Sequence, residues 1–127
     1  MNMGDIMTLS EIAHELVAGC REGRAKQNLD ALYAPDAVSV EAEDMGQGRE
    51  THGLPGIHAK HEWWESTQIV HSGSVEGPFL HGDDSFAVIF EMDAEDKTTG
   101  KRSQMREVAI YHVKGGKIVR EEFFYGS

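Results

Sequence analysis

Residues 105–126, MREVAIYHVKGGKIVREEFFYG, hold two alternating runs of strand formers on either side of Gly115-Gly116. A Gly-Gly pair in that setting predicts a tight hairpin, because the favoured two-residue turns need positive φ. Pairing Lys114 with Lys117 sets the register. Val113 then faces Ile118, Tyr111 faces Arg120, Ala109 faces Glu122 and Glu107 faces Phe124. The other face sets Arg106, Val108, Ile110 and His112 against Tyr125, Phe123, Glu121 and Val119. Neither face is simply polar, whereas a sheet with one solvated face alternates cleanly. Both faces are therefore expected to be covered, one by the chain's own helices and the other by a partner or a second sheet. A slip of one residue would exchange the two faces.

The elements upstream follow from periodicity. Thr8-x-x-Glu11 is a capping-box pattern, and Leu9, Ile12, Ala13, Leu16, Val17 and Cys20 recur at helical spacing up to a stop at Gly23. A shorter helix over Asn28–Ala34 is closed by Pro35, and Val38 and Val40 begin a strand that frays into a loop around Gly46 and Gly48. Pro55 suits the first turn of a third helix, with Ile57, His61, Trp64 and Gln68 on one side. Strands are expected over about 69–76, 86–93, 102–114 and 117–125, with turns at Gly82-Asp83-Asp84 and Thr98-Thr99-Gly100. The order is helix, helix, strand, helix and four strands, an α+β arrangement. Residues 1–7 are expected to be a loose tail, and residues 8–127 one domain.

Bulk properties narrow the function. The 127 residues carry a formal charge of −10, which argues against nucleic acid and against anionic membrane surfaces. No apolar run approaches the ~20 residues that a spanning helix needs. The opening MNMGDIMT has neither a basic nor an apolar segment of a secretion signal. Cys20 is the single cysteine, so no internal disulfide forms and a cytoplasmic location is expected. Its place on the apolar stripe predicts a buried, inert thiol.

Three segments carry a family resemblance: Leu32-Tyr-Ala-Pro-Asp-Ala-Val38 after two helices, Gly53-x-x-x-Ile57 opening a third, and the closing Gly116-Lys-Ile-Val-Arg-Glu-Glu-Phe-Phe-Tyr125. In their order and spacing the chain resembles the SnoaL-like proteins of the nuclear-transport-factor-2-like superfamily, which includes ketosteroid isomerase. The resemblance spans roughly residues 8–125. It implies three helices packed in a strongly curved antiparallel sheet, a cone-shaped pocket and a homodimer through the outer sheet face. It implies no single activity, so function rests on the site. It also sets Glu41 where the isomerase keeps its aspartate base. Local alternation disagrees: with Val38, Val40 and Ala42 inward, Glu41 turns outward unless a bulge intervenes. Leu16 and Val17 stand where the isomerase has its helix-one tyrosine.

The candidate catalytic residues are Glu107, Glu122 and Glu41. In the hairpin register Glu107 and Glu122 lie diagonally on one face, about 7–8 Å apart. Carboxylates in an apolar cup have raised pKa values, which suits proton transfer near neutral pH. Tyr33, His61, Trp64, Phe90, Tyr111 and Phe124 are the candidate ligand-binding residues, with a tyrosine or His61 steadying an oxyanion. Trp63 falls at the edge, since adjacent helical residues diverge by about 100°. His58-x-x-His61 has helical spacing, but no HExxH and no cysteine pair accompanies it, so neither a metal nor an organic cofactor is expected. The expected partner is a small apolar or amphipathic molecule.

Overall fold

The computed structural model describes residues 6–44 and 46–126. The expected tail at 1–7 thus lies, for residues 1–5, outside the described residues, and Met7 packs against the core. Helix α1 (Leu9–Arg21) opens with the full capping box: Thr8 Oγ1 accepts from the Glu11 amide, and Glu11 accepts from the Thr8 amide. Helix α2 (Ala25–Leu32) stops before Pro35, and β1 (Tyr33–Val40) starts at once, earlier than predicted. Pro35 disfavours helical geometry at Ala34, and the chain is already extended one residue earlier, at Tyr33. A short β2 (Glu50–His52) escaped prediction because it lies among loop residues. Helix α3 (Leu54–Thr67) carries proline in its first turn as expected, and β3 (Gln68–His81), β4 (Ser85–Asp96), β5 (Arg102–Lys114) and β6 (Lys117–Phe124) follow.

The strands form one sheet in the order β2-β1-β6-β5-β4-β3. Neighbours are antiparallel except β1 and β6, which run parallel. Register shifts interrupt β1–β6, β3–β4 and β5–β6. Such bulges bend a strand and strengthen its twist, which curves the sheet. One apolar core joins the three helices to the inner side of the sheet through Ile12, Leu16, Leu32, Ile57, Phe86 and Ile118. Inside it the rings of Phe86 and Tyr111 stack at 4.8 Å between centroids.

The α1–α2 contact depends on a missing side chain. A Cβ on Gly19 would sit 2.5 Å from the buried Asn28 amide, whose nitrogen donates to Leu16 O at 3.1 Å. Gly19→Ala would gain about 1 kcal/mol of helix propensity but displace that amide from its partner. The expected net result is a loss of about 1–2 kcal/mol in urea unfolding. A stabilised variant would show that Asn28 is not held in place.

Candidate functional site

The hairpin turns as predicted, with φ of 62° at Gly115 and 78° at Gly116. Lys114 pairs with Lys117 and Val113 with Ile118, but His112 pairs with Arg120. Val119 is therefore an extra residue in β6, and the register slips by one from there on. Glu121 now lies opposite Tyr111, Phe123 opposite Ala109, Glu122 opposite Ile110 and Phe124 opposite Val108. The slip exchanges the faces of β6. Glu121 is 5% exposed, whereas Phe124 is 49% exposed.

Two expected site residues are thereby corrected. Glu122 turns outward, to Arg120 at 3.3 Å and Arg49 at 3.5 Å, so the predicted Glu107–Glu122 pair does not form. Phe124 lies on the outer face. Phe123, predicted there, packs against the core instead.

Glu121 anchors a polar chain from the interior to the surface. Its two oxygens accept from the Tyr33 hydroxyl and, at 2.7 Å, from Ser39 Oγ. Ser39 Oγ accepts from Lys60 Nζ at 2.6 Å. The same ammonium donates to Glu41 Oε2 at 2.6 Å and lies 5.5 Å from the centroid of the Phe123 ring. Glu41 Oε1 accepts from the Tyr125 hydroxyl at 3.1 Å. Glu41 thus points into the site, contrary to the outward orientation expected from Val38, Val40 and Ala42. Both sides of the end of β1 are covered, so alternation could not tell inner from outer. Ser39 and Glu41 take the inner side, where buried donors and acceptors satisfy one another.

Burial pushes Glu121 upward against the opposing pull of Tyr33, Ser39 and Lys60. Burial and the neighbouring Glu41 push the Tyr125 phenol up to about 12, so it stays a donor at neutral pH. Burial, then Glu121, raises Cys20 to about 11, which leaves it a protonated thiol.

Glu107 stands apart from the chain. It is half-buried opposite Phe90, and among the described residues its carboxyl has no hydrogen-bond partner. Loss of solvation, then Glu41 and Glu121, raise it to about 7, with Lys60 acting in the opposite sense. Beside it, past the end of β6, a hollow of about 110 Å³ is lined by Gln104, Met105, Arg106, Glu107, Tyr125 and Gly126.

The remaining candidates are spread out. Tyr33 is bound to Glu121 and Tyr111 is buried against Phe86. His61 and Trp64 are half-buried on α3 and do not line the hollow. His61 Nδ1 is buried without a hydrogen bond, its nearest acidic group being Glu65 Oε1 at 3.5 Å. His58 engages Asp30 and His71 engages Glu95, each at 2.8 Å. Among the described residues no three His, Cys, Asp or Glu side chains are placed to hold a metal ion. No described helix is long and apolar enough to cross a membrane. Glu121, Ser39, Lys60 and Tyr125 were not singled out from the sequence. The adjacent Glu121-Glu122 pair was the one available signal, since neighbours on a strand face opposite ways and one of the two had to point inward.

Three helices on one side of a bent six-stranded sheet, with carboxyls on its inner side, define an α+β fold of the ketosteroid-isomerase-like, cystatin-like class. The profile of the SnoaL-like domain matches residues 7–125, and the chain belongs to that family. No curated protein matches it in sequence. Among solved structures it is similar to a Mesorhizobium loti protein provisionally named a SnoaL-like polyketide cyclase. Identity there is 39%, coverage 94% of this chain and 100% of that one, and the TM-score 0.88. A Catenulispora acidiphila protein with a ketosteroid-isomerase-like fold, solved with trimethylamine, is 17% identical over 94% of this chain and 88% of its own, with a TM-score of 0.69. TerC, co-crystallised with polyporic acid, is 20% identical over 92% of this chain and 90% of its own, also with a TM-score of 0.69. The last two likenesses are likenesses of fold.

Proposed function

We propose that the protein is a cofactor-independent isomerase- or lyase-type enzyme that moves a proton on a small, mostly apolar carbonyl or hydroxyl compound. Glu107 is its acid–base group. The observation that carries this reading is a half-buried carboxyl, unpartnered beside a hollow and raised to about 7. A group with that pKa is divided between acid and base at neutral pH, which suits proton transfer in either direction. The provisional cyclase name of the Mesorhizobium loti relative agrees with such chemistry. NMR titration of the glutamate side-chain carboxyls tests it. One glutamate should titrate near 7, and its signal should be absent from Glu107→Gln. Titration of every glutamate near ~4.3 would remove the base and leave a non-catalytic binding module.

The same reading includes a homodimer through the outer sheet face. Ala87, Ile89, Val108 and Ile110 form adjoining apolar rows there, flanked by Phe79 at 47% and Phe124 at 49% exposure. The Glu91–Arg106 and Arg120–Glu122 pairs put both charges around these rows. Mixed charge around an apolar centre is self-complementary under a two-fold axis. Sedimentation at micromolar concentration should give twice the chain mass for the native protein and a monomer for Ile110→Glu. A native monomer would refute the dimer.

A further inference from the structure

Strand β6 ends at Phe124, opposite Val108, so residues 102–107 of β5 have β4 on one side and, among the described residues, no strand on the other. An open edge presents main-chain N–H and C=O groups that no ladder satisfies. The hollow beside Glu107 lies on that edge. It is lined by four consecutive residues, Gln104, Met105, Arg106 and Glu107, together with Tyr125 and Gly126. Successive side chains on a strand point to opposite faces. Met105 and Glu107 share the face of the buried Ala109 and Tyr111, and Gln104 and Arg106 share the other. A hollow touched by all four belongs to neither face. It meets β5 from the side, where the main chain lines it. Two polar side chains around it are already engaged, Arg106 with Glu91 and the Tyr125 hydroxyl with Glu41 at 3.1 Å. In an antiparallel ladder a residue turns its N–H and its C=O to the same side, and successive residues alternate. Alternate residues of 104–107 therefore offer the hollow a donor and an acceptor on either side of one Cα. At about 110 Å³, against ~30 Å³ for a water in the liquid, the hollow holds a group of roughly four heavy atoms.

We infer that the open edge of β5 is a main-chain recognition site, and that its ligand is a small N-acylated amino-acid derivative held as a facing strand residue would be. The inference names the ligand class of the Glu107 site and rests on that hollow being the place of the substrate. Facing residues of two antiparallel strands exchange two hydrogen bonds, each giving its N–H to the other's C=O. The complement of one open residue is thus an N–H and a C=O separated by one carbon. That unit has four heavy atoms, N, C, C and O, which is about the capacity of the hollow. A lone secondary amide does not match, because its trans N–H and C=O point in opposite directions. Met105 supplies an apolar wall for a hydrocarbon side chain on the ligand, and Glu107 lines the same hollow. Edge strands bind extended chains by such main-chain bonds, with side-chain pockets adding selectivity. Here the open stretch is short and the hollow small, so the ligand is one residue's worth of chain.

Amide NMR of the native protein tests this without any turnover, with N-acetyl-L-leucinamide as the probe. In the free protein, alternate amides within residues 104–107 should exchange quickly with solvent, while those between them, bonded to β4, are protected. The fast-exchanging amides should shift most as the probe is added. Two relatives of the probe each lack one group: N-acetyl-N-methyl-L-leucinamide has no N–H at that position, and N-(3-methylbutyl)acetamide has no second carbonyl. Each should bind at least about fivefold more weakly, the effect of one net hydrogen bond. Protection of all four amides in the free protein overturns the inference. So does the absence of binding, binding that leaves these amides unshifted, or equal binding of the three compounds. Acetyl-tetraalanine amide separates a small ligand from a polypeptide. If it shifts these amides and the leucinamide does not, the edge docks an extended chain and the small-ligand assignment fails. The carboxyl titration of Glu107 is read separately. A glutamate titrating near 7 without amide shifts keeps the base and rejects the ligand class, and amide shifts without such a glutamate do the reverse.

Discussion

Glu107→Gln is expected to stabilise the protein by about 2–3 kcal/mol above pH 7 and to slow proton transfer by about 10²–10⁴-fold on any substrate that is turned over. Glu107 rises from 4.5 to about 7 on folding. Below pH 4.5 the carboxyl is protonated in both folded and unfolded chains, and it does not weaken the fold. Between 4.5 and 7 the folded state holds a proton that the unfolded chain has released, so stability falls as pH rises. Above 7 the full cost of ionising a partly dry carboxyl is present. Glutamine keeps the shape and never ionises. Its advantage should therefore be near zero at pH 4, grow through pH 6 and level off at pH 8 in urea unfolding. A pH-independent difference between the two proteins would show that Glu107 ionises as freely in the folded state as in water.

Glu121→Ala is expected to destabilise the fold by about 2–4 kcal/mol. The substitution opens a cavity and takes the acceptor from two buried hydroxyls, those of Tyr33 and Ser39. It also weakens the support of Lys60, which reaches Glu121 through Ser39. Tyr33→Phe alone should cost about 1–2 kcal/mol, since it removes one donor and leaves the carboxyl its second partner. Because both groups share one bond, the double variant Glu121→Ala with Tyr33→Phe should cost less than the sum of its parts. Additive costs in the double-mutant cycle would mean that the two side chains do not act together. A fully stable Glu121→Ala would mean that water replaces the carboxyl.

Much of the architecture is legible in one dimension. The spacing of Leu9, Ile12, Leu16 and Val17, the box at Thr8 and Glu11, and the Gly115-Gly116 turn each act over a few residues, and each appears where expected. Pro55 opens α3 for the same local reason. The alternation in β5 sets Ala109 and Tyr111 on the face of Glu107, and both are buried in the core. Local sterics and burial of one face suffice for these features, so neighbouring residues encode them.

The composition of the site was decided elsewhere. One unpaired residue, Val119, exchanges Glu122 for Glu121 and Phe124 for Phe123 on the inner face. No pattern within β6 marks it, because Arg-Glu-Glu-Phe-Phe reads equally well in either register. Glu41 likewise turns inward because Lys60 and Tyr125 meet it there, from residues 19 and 84 positions away. Buried polar groups gain their stability from partners distant in sequence, and a strand's two faces differ only by what packs on them. The sequence by itself determined the class of fold and set Glu107 on one face of β5 with Ala109 and Tyr111. Only the tertiary structure decided which further groups surround it, since that choice depends on the bulge at Val119 and on the mutual satisfaction of Glu121, Ser39, Lys60 and Glu41.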